Sequence, residues 1–485
     1  MRHRRVFTLV MKPLRSSVVS LLIGLQFLAP CGCGRRAPEV TADGRAVVHY
    51  WEKWTGFEED AMQAVVDDFN RSQSRIVVKM LSVGETERKL MLATAGGDPP
   101  DVAGVWAHTV TGFSEKGALT PLDKLAEEAG ITAEDYIPVY WKQCRHHGFL
   151  WALPSTPWSA ALHWNKKLFR EAGLDPDHPP QSLDELEKMS ERLTIVEIKR
   201  DGKLVRIRYP DLTDQEKRAK DFKLVQVGHD PQQPGWWMPI WVYWFGGRLW
   251  DGERRITAND PGNIQAFEWL RRQSEKYGVD NRRGFGASFG NFNSPQNPFL
   301  TGQIAMTFQG VWMYNFIDKY APQLEWGAAP FPAKDAQKYP LVTLAESDVL
   351  VIPKGARYVK EAFEFIRYVN TQGPMEKLCL GQRKFSPLVK VSDGFVQNHP
   401  NRYIRTFIEL ANSPNAHYVP RLSVWAEYND EMNVAVDQVT ALTTAPQAAL
   451  DLVQQRMQWK LDRVMRRWDA VKDERLKEWG GHDAR

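Results

Sequence analysis

Apolar and polar positions alternate with two different periods along the first part of the chain. Short apolar runs typical of buried strands are separated by segments in which apolar residues recur every three or four positions, as on one face of a helix. The pattern predicts strands over Ala46–Trp51, Arg75–Leu81 and Asp101–Val105, and helices over Phe57–Asn70 and Glu85–Ala95. Strands that alternate with helices indicate an α/β fold with a mostly parallel sheet between helices.

Two loops follow the first and third of these predicted strands. In a parallel sheet, ligands bind beyond the carboxyl ends of the strands. We therefore expect the loops Trp51–Gly56 and Val105–Thr111 to border a ligand cleft.

The middle of the chain has the order strand, helix, proline-rich loop and helix. Ala160–Trp164 is short and apolar, like a buried strand, and Asn165–Ala172 is predicted to be a helix. After the loop, Ser182 is placed to begin a second helix, and Glu185 to complete its capping box. This order is common in α/β proteins and does not by itself indicate a function.

An aromatic segment, Gly235–Asp251, carries several of the chain's 19 tryptophans. Its spacing suits a helix that is aromatic on all sides, so the helix must be buried all round or border a cleft. We expect Trp241 and Trp244 in the core, and Trp237 or its neighbour Trp236 at the ligand.

The last third of the chain continues the α/β pattern. Val349–Ile352 is predicted to be a buried strand and Val359–Val369 an amphipathic helix. Pro446–Trp468 has one apolar stripe over its whole length and is predicted to be a long helix.

Length and charge narrow the class of protein. A chain of 485 residues, 43% of them hydrophobic, is expected to fold into two or more lobes with large cores. The formal net charge of +4 is nearly cancelled if the five basic residues ahead of Val18 are left out. A near-neutral protein has no electrostatic reason to bind nucleic acid.

The first 33 residues have the composition of an export signal. A basic stretch precedes the apolar run Val18–Ala29, which is too short to span a bilayer comfortably. Gly32 before Cys33 resembles a bacterial lipobox, so we expect a lipid on Cys33, with Cys31 the second choice. Plain signal-peptidase cleavage is the alternative, and Met11 is a possible start instead of Met1.

The remaining cysteines and the histidines have no clear chemical role in the sequence. Cys144 and Cys379 could form a disulfide or remain two buried thiols. His146 and His147 are adjacent, so in a strand they would point to opposite faces, and we expect both at the surface. No histidine–carboxylate cluster of metal-binding spacing is visible, and no metal or cofactor is expected.

Three motifs resemble family 1 extracellular solute-binding proteins, the sugar-capturing subunits of bacterial ABC importers. The first is P-S-x-x-x-x-x-A-L-x-W-N-K-x-L-F-x-x-A-G-L-D-P-x-x-P-P, which begins at Pro154. The second is the run DPPDVAGVWAHTVTGFSEKGALTPLDKL, and the third is Ser294–Met313. Together with the expected return segment Trp326–Pro332, the resemblance extends over nearly the whole chain after the signal.

The resemblance implies a two-lobed periplasmic-binding-protein fold of type II, with a hinge between the lobes. The first motif resembles the family's hinge region, where the chain first passes from one lobe to the other. The implied boundaries are 1–33 for the signal, 45–162 with 330–376 for lobe 1, and 163–329 with 377–485 for lobe 2.

The resemblance also implies positions for the ligand site. A W-A-H segment supplies sugar contacts in maltodextrin-binding members, and the tryptophan of the third motif packs a sugar ring in the family; the alternative for Trp106 and Trp312 is core packing. Many relatives have Gly-Gly where this chain has Glu346 and Ser347; the two side chains either contact a ligand or are a local structural substitution. With the predicted cleft loops, the candidate residues are Trp51, Glu52, Trp106, His108, Thr109, Trp158, Trp237, Trp312, Glu346 and Ser347.

The expected function is capture of a carbohydrate outside the cytoplasm by a monomer that is tethered to a membrane by lipid and delivers the sugar to an ABC permease. Aromatic rings suit this ligand because sugars have apolar faces. A binder of a peptide or an osmolyte is the alternative. A glycoside hydrolase would need two carboxylates across the substrate, and no motif in the sequence requires such a pair.

Overall fold

The structure is a computed structural model that describes residues 39–235 and 238–480. The predictions for Cys31, Cys33, Trp236 and Trp237 lie outside the described residues. Within those two ranges, no helix is both long and apolar enough to cross a membrane.

Thirteen strands and seventeen α-helices make up the described chain. The strands are β1 (Ala46–Glu52), β2 (Ile76–Ser82), β3 (Val102–Trp106), β4 (Arg145–His146), β5 (Phe149–Leu150), β6 (Ala152–Asn165), β7 (Ile195–Arg200), β8 (Lys203–Arg208), β9 (Lys223–His229), β10 (Ile304–Gly310), β11 (Trp326–Ala329), β12 (Thr343–Val351) and β13 (Ala416–His417).

The α-helices lie between and after these strands, and four short 3₁₀ segments supplement them. The helices are α1 (Phe57–Ser72), α2 (Thr86–Ala95), α3 (Val110–Glu115), α4 (Asp123–Glu128), α5 (Pro138–Gln143), α6 (Lys166–Glu171), α7 (Leu183–Leu193), α8 (Asp214–Ala219), α9 (Pro261–Tyr277), α10 (Val279–Gly286), α11 (Met313–Tyr320), α12 (Val359–Val369), α13 (Gln372–Gly381), α14 (Asp393–Gln397), α15 (Ile404–Ala411), α16 (Trp425–Thr440) and α17 (Pro446–Glu478). The 3₁₀ segments are Ala107–Thr109, Ala133–Asp135, Tyr209–Asp211 and Met238–Phe245.

Eleven strands form one mixed sheet in the order β2-β1-β3-β12-β6-β10-β9-β7-β8, with β11 paired to β6 and β13 to β12. Pairing is parallel among β1, β2 and β3, where helices α1 and α2 provide the crossovers that parallel strands need. Pairing is antiparallel between β3, β12, β6 and β10. The α/β class is as predicted, but the sheet is less parallel than expected because β12 returns alongside β6 in the opposite direction.

Strands β6 and β12 each pass from one hydrophobic core to another. The start of β6, at Ala152 and Leu153, belongs to the core around β1–β3, α1 and α12. Its far part, at Leu162 and Trp164, belongs to the core around β10, α7, α9 and α16. A 14-residue strand extends roughly 46 Å, which is enough to serve both. The predicted strand Ala160–Trp164 is therefore only the second half of a longer one.

Most other predicted elements agree closely with the structure, but β12 begins six residues before the predicted Val349, and the aromatic segment changes type. The carboxylate of Glu185 accepts from the Gln181 amide and does not complete the predicted capping box. Helix α12 has the predicted bounds, and Asn165 and Ser182 accept N-cap hydrogen bonds from Leu168 and Glu185. Helix α17 continues past its predicted end to Glu478. The aromatic segment forms a 3₁₀ helix over Met238–Phe245 in which every residue is buried.

Burial answers the question about the cysteines. Cys144 and Cys379 are both free thiols with no exposed surface, and burial raises the pKa of each. The two thiols therefore pack as small apolar groups in the first core.

The placement of the adjacent histidines corrects the prediction that both lie at the surface, because the side chains of His146 and His147 are only 11% and 22% exposed. β4 and β5 form a hairpin whose turn residues, His147 and Gly148, both have positive φ, of 49° and 85°. This turn geometry folds His147 back beside His146, and their ring centroids are 3.8 Å apart. The alternation of a strand does not apply because His147 is no longer in one.

Candidate functional site

A large cavity lies where β6 and β12 pass between the two cores. Its volume is about 900 Å³. It is lined by Lys53, Trp54, Thr55, Phe57, Glu58, Trp106, His108, Trp158, Ile240, Asn293, Trp312, Asn315, Phe316, Leu344, Glu346, Asp348, Lys384, Val419, Trp425 and Asn429. Charged side chains dominate one wall and aromatic rings the other, and we call these the charged wall and the aromatic wall.

Strand β12 supplies the two carboxylates at the boundary of the walls. Successive side chains of a strand point to opposite faces, so Leu344, Glu346 and Asp348 line the cavity together. Ser347 points the other way, is 1% exposed, and donates its hydroxyl to the carbonyl of Asp348. Glu346 lies opposite Trp158 in the ladder with β6, which brings a carboxylate beside an aromatic ring.

A buried ion network forms the base of the charged wall. Asp348 is 4% exposed; its Oδ1 lies 2.9 Å from Nζ of Lys53, and its Oδ2 lies 3.6 Å from Nζ of Lys384. Lys384 Nζ also lies 3.0 Å from Oε1 of Glu58. The hydroxyl of Thr156 donates to Asp348 Oδ2 over 3.1 Å.

The network sets the charge state of its members. Burial raises the pKa of Asp348, but the nearby charges of Lys53 and Lys384 outweigh it and hold that pKa below its ordinary value. The same attraction outweighs burial at the two lysines and raises the pKa of each. All three groups are therefore charged at neutral pH.

The ring of Trp54 contacts both lysines of this network. It is 6% exposed, and Nζ of Lys53 lies 4.7 Å from its ring centroid, with Nζ of Lys384 5.7 Å away. The negative face of the indole attracts both cations. The two ammonium groups thus share one ring and one carboxylate, and each has a second carboxylate partner, Glu52 for Lys53 and Glu58 for Lys384.

An exposed pair of rings completes the charged wall. Trp106 is 44% exposed, and its ring stacks on His108 with centroids 5.9 Å apart and planes 10° from parallel. Nδ1 of His108 lies 3.6 Å from Oε2 of Glu346. Burial lowers the pKa of His108, but the attraction to Glu346 outweighs it, so that the pKa lies above its ordinary value.

The aromatic wall is centred on Trp158 and Trp312. Their rings meet edge to face, with centroids 5.1 Å apart and planes at 74°. Trp312 follows β10, whose last residue, Gly310, passes under the indole: a Cβ at Gly310 would lie 2.3 Å from the ring. The absence of a side chain there lets the ring lie flat against the strand. Phe316 and Trp425 extend the wall.

The structure brings five of the ten predicted residues to the cavity: Trp106, His108, Trp158, Trp312 and Glu346. Trp237 lies outside the described residues.

Four predicted residues lie elsewhere. Trp51 is half-buried within β1. It does not line the cavity, since the lining begins at Lys53, after the end of the strand. Thr109 donates its hydroxyl to the carbonyl of Trp106 within a 3₁₀ turn. Glu52 has no exposed surface and accepts hydrogen bonds from the Tyr50 hydroxyl and the Lys53 amide. The fourth is Ser347, which strand alternation turns away.

The loop Trp51–Gly56 was predicted to border the cleft, but Lys53 and Trp54 within it were not named as candidates. Asp348 and Lys384 were missed altogether. Strand β1 ends at Glu52, one residue later than predicted. The first residues that line the cavity therefore lie later in the chain than the predicted Trp51 and Glu52. Asp348 was missed because the predicted strand began only at Val349, whereas β12 begins at Thr343 and places Asp348 two residues after Glu346 on the same face. Lys384 carried no local signal, because its partners are distant in the sequence.

Comparison with known proteins identifies the family. The pattern of the family described as bacterial extracellular solute-binding protein matches residues 57–376, which is more than half of the chain. The chain belongs to this family. Members of an extracellular family act outside the cytoplasm, so the protein is exported.

Individual relatives are distant. A multiple sugar-binding protein of Streptococcus mutans is 21% identical over 369 residues, covering 73% of this chain and 78% of its own. An sn-glycerol-3-phosphate-binding periplasmic protein, UgpB of Pectobacterium atrosepticum, is 21% identical over 437 residues, covering 84% and 90%.

The fold is that of solved binding proteins. The structure described as CpMnBP1 with mannotriose bound superposes with a TM-score of 0.69 at 24% identity, covering 84% of this chain and 99% of that one. At this level of identity the likeness shows the fold, which is the two-lobed periplasmic-binding-protein fold that the motifs implied.

Proposed function

We propose that this solute-binding protein captures a neutral oligosaccharide in the cavity and delivers it to the permease of an ABC importer. The observation that carries the proposal is the pairing of an aromatic wall, built on Trp158 and Trp312, with a wall of fixed charges. Sugars present apolar C–H faces and a rim of hydroxyls, and the two walls match these two kinds of surface.

Cavity size supports an oligosaccharide over a single sugar ring. Ligand pockets generally measure roughly 300–1,000 Å³, and this cavity, at about 900 Å³, lies near the upper end. Trp106 of the charged wall and Trp312 of the aromatic wall both line this cavity, so an extended ligand can contact both rings.

The charges support a neutral ligand over an anionic one. The two lysines that line the described cavity are already engaged, Lys53 with Asp348 and Lys384 with Glu58. The lining carboxylates outnumber the lining lysines, and a phosphate or carboxylate would have to compete with the existing partners. Glycerol phosphate, the ligand in the name of one relative, is therefore the less suitable class.

Five predicted residues form the core of the proposed site: Trp106, His108, Trp158, Trp312 and Glu346. We add Lys53 and Asp348 as groups that orient hydroxyls, since an ammonium donates and a carboxylate accepts. The lobe boundaries 45–162 with 330–376, and 163–329 with 377–485, remain part of the proposal, with β6 and β12 as the hinge.

Lipid attachment to Cys33, with Cys31 the second choice, and action as a monomer also belong to the proposal. The support for the anchor is the export signal and the resemblance of Gly32-Cys33 to a lipobox. Mass spectrometry of the mature N-terminus tests the anchor, and an unmodified N-terminus downstream of both cysteines would contradict it.

A thermal-shift panel tests the ligand class. The probes are maltotriose and mannotriose as neutral oligosaccharides, sn-glycerol 3-phosphate as an anionic solute, and a dipeptide and glycine betaine as the peptide and osmolyte alternatives. At a hundred times Kd, a ligand stabilises the folded state by about 2.7 kcal/mol. We expect an oligosaccharide to raise the melting temperature. Stabilisation by glycerol phosphate, the dipeptide or betaine alone would overturn the carbohydrate assignment.

The same mixtures test the proposal that the protein does not act on sugars. We expect each oligosaccharide to be recovered unchanged after prolonged incubation. Release of mono- or disaccharide in proportion to protein concentration would show that the cleft is a catalytic site.

A further inference from the structure

A second cavity, of about 620 Å³, lies apart from the ligand cleft. The described residues that line it include Glu115, His146, His147 and Trp468, and it shares no described lining residue with the first cavity. The proposed function does not use these side chains.

The fold brings three side chains that can bind a metal close together. Glu115 is the last residue of α3, and the β4–β5 hairpin brings both histidines against it. Trp468 of α17 stacks on His147 with ring centroids 3.9 Å apart and planes 6° from parallel, which fixes that imidazole. The cluster is thus formed by a helix end, a tight turn and a packed ring.

The distances suit a small divalent cation. Oε1 of Glu115 lies 2.9 Å from Nε2 of His146 and 3.6 Å from Nε2 of His147. Ligands about 2.0–2.1 Å from a tetrahedral ion are roughly 3.3 Å from each other, so the two separations lie on either side of the value a metal would need. All three ligand atoms lie within 4.8 Å of one another.

The partial burial of the groups also suits a bound ion. The side chains of Glu115, His146 and His147 are 17%, 11% and 22% exposed. Nε2 of His147 is buried and has no hydrogen-bond partner.

Several cationic side chains line the second cavity, and Arg421 among them is bound to the main chain. The guanidinium of Arg421 donates to the main-chain carbonyls of Lys142 and Arg145. Its hydrogen bonds therefore hold it to the backbone beside the cluster.

We propose that Glu115, His146 and His147 bind a divalent transition-metal ion such as Zn²⁺. Two imidazoles and one carboxylate favour Zn²⁺ or its neighbours over Mg²⁺ or Ca²⁺, which prefer oxygen ligands. All three side chains line the second cavity, which gives an ion access to them.

Titration calorimetry of the full chain, carrying no histidine tag and stripped with a chelator, tests the site with ZnCl₂ as the probe and MgCl₂ as the control. We expect one equivalent of Zn²⁺ to bind and Mg²⁺ to give no heat. His146→Gln and Glu115→Gln should each weaken Zn²⁺ binding at least tenfold. The matched control is His178→Gln, because His178 is an exposed histidine beside a single carboxylate, Glu185. Absence of binding, or equal binding by all variants, would overturn the proposal.

NMR of the wild-type protein provides a second test, which does not depend on how the variants fold. Paramagnetic Co²⁺ should shift and broaden the ring-proton resonances of His146 and His147 before those of other histidines. Perturbation of His178 or His108 first would place the metal elsewhere and contradict the assignment.

Discussion

The two walls of the proposed ligand cavity are stabilised by different interactions. The charged wall is held by a buried network in which Asp348 balances Lys53 and Lys384, so its side chains are fixed before any ligand arrives. The aromatic wall is held by packing, with Trp158 and Trp312 edge to face and Gly310 beneath the indole. Changes in the first wall should therefore act mainly on folding, and changes in the second mainly on binding.

Asp348→Ala should cause the largest effect, and it should be an effect on stability. Removal of this carboxylate leaves two buried ammonium groups without their shared partner, and breaking a buried ion pair costs about 3–5 kcal/mol. We expect a loss of that order in the free energy of unfolding, measured with urea.

Glu346→Gln is the control for that experiment, because Glu346 lies two residues away and faces a histidine that is a third exposed. Its effect on unfolding should stay below about 1 kcal/mol. Equal losses for the two variants would show that the network around Asp348 is no more important to folding than the rim of the cavity.

The pH dependence of the wild-type protein should show the same network. The pKa of Asp348 is lowered in the folded state, so its contribution to stability is present above the ordinary value of 3.8 and is lost as pH falls below it. The pKa of Lys53 is raised, so its contribution is complete below the ordinary value of 10.5 and is lost at higher pH. Urea unfolding across pH measures this. The difference in free energy of unfolding between the wild type and Asp348→Ala should be largest between these two pH limits and should shrink outside them.

Gly310→Ala should weaken ligand binding although the side chain of Trp312 is itself unchanged. A methyl group 2.3 Å from the indole must push the ring of Trp312 away from the strand. We expect weaker oligosaccharide binding by several-fold in calorimetry. Gly284→Ala is the control, because nothing lies within 4 Å of a Cβ at that helical position. Unchanged affinity in Gly310→Ala would mean that the position of Trp312 does not matter to the ligand.

The smallest expected effect concerns His108, where the walls meet. Its pKa is raised by Glu346, so the pair contributes stability that is complete below about pH 6.5 and is lost as pH rises through the higher folded value. Glu346→Gln should lower the pKa of His108, since burial then acts with less opposition. A proton NMR titration of the imidazole measures this, and an unchanged pKa would show that the pair is not electrostatically coupled.

Much of the fold could be predicted because each local pattern agreed with the final packing. The bounds of α12 and the caps at Asn165 and Ser182 follow from short-range rules of apolar spacing and hydrogen bonding. The full length of β6 was missed, since its first half contains Pro154 and Pro157, and proline usually opposes a strand.

The charged wall was the hardest part of the site to predict. Trp106 and Trp312 reached the cavity as the resemblance implied, but Glu52 was placed there because β1 was ended one residue too early. The network depends on contacts between distant parts of the chain, such as Lys384 with Glu58, which no local pattern encodes. The histidine cluster was missed for a similar reason, because its turn reverses the strand alternation that the sequence suggested.

Calorimetric titration of Trp312→Ala with the oligosaccharide that most stabilises the wild type, together with melting of the variant without ligand, tests the central claim most directly. Loss of an apolar contact of about 50 Å² should cost roughly 1–1.5 kcal/mol of binding, which is about tenfold in Kd. Trp106→Ala should show a smaller loss. Because Trp312 is only half-buried, the melting temperature should change little. Unchanged affinity with a collapsed melting temperature would make Trp312 a core residue and contradict the account of the aromatic wall.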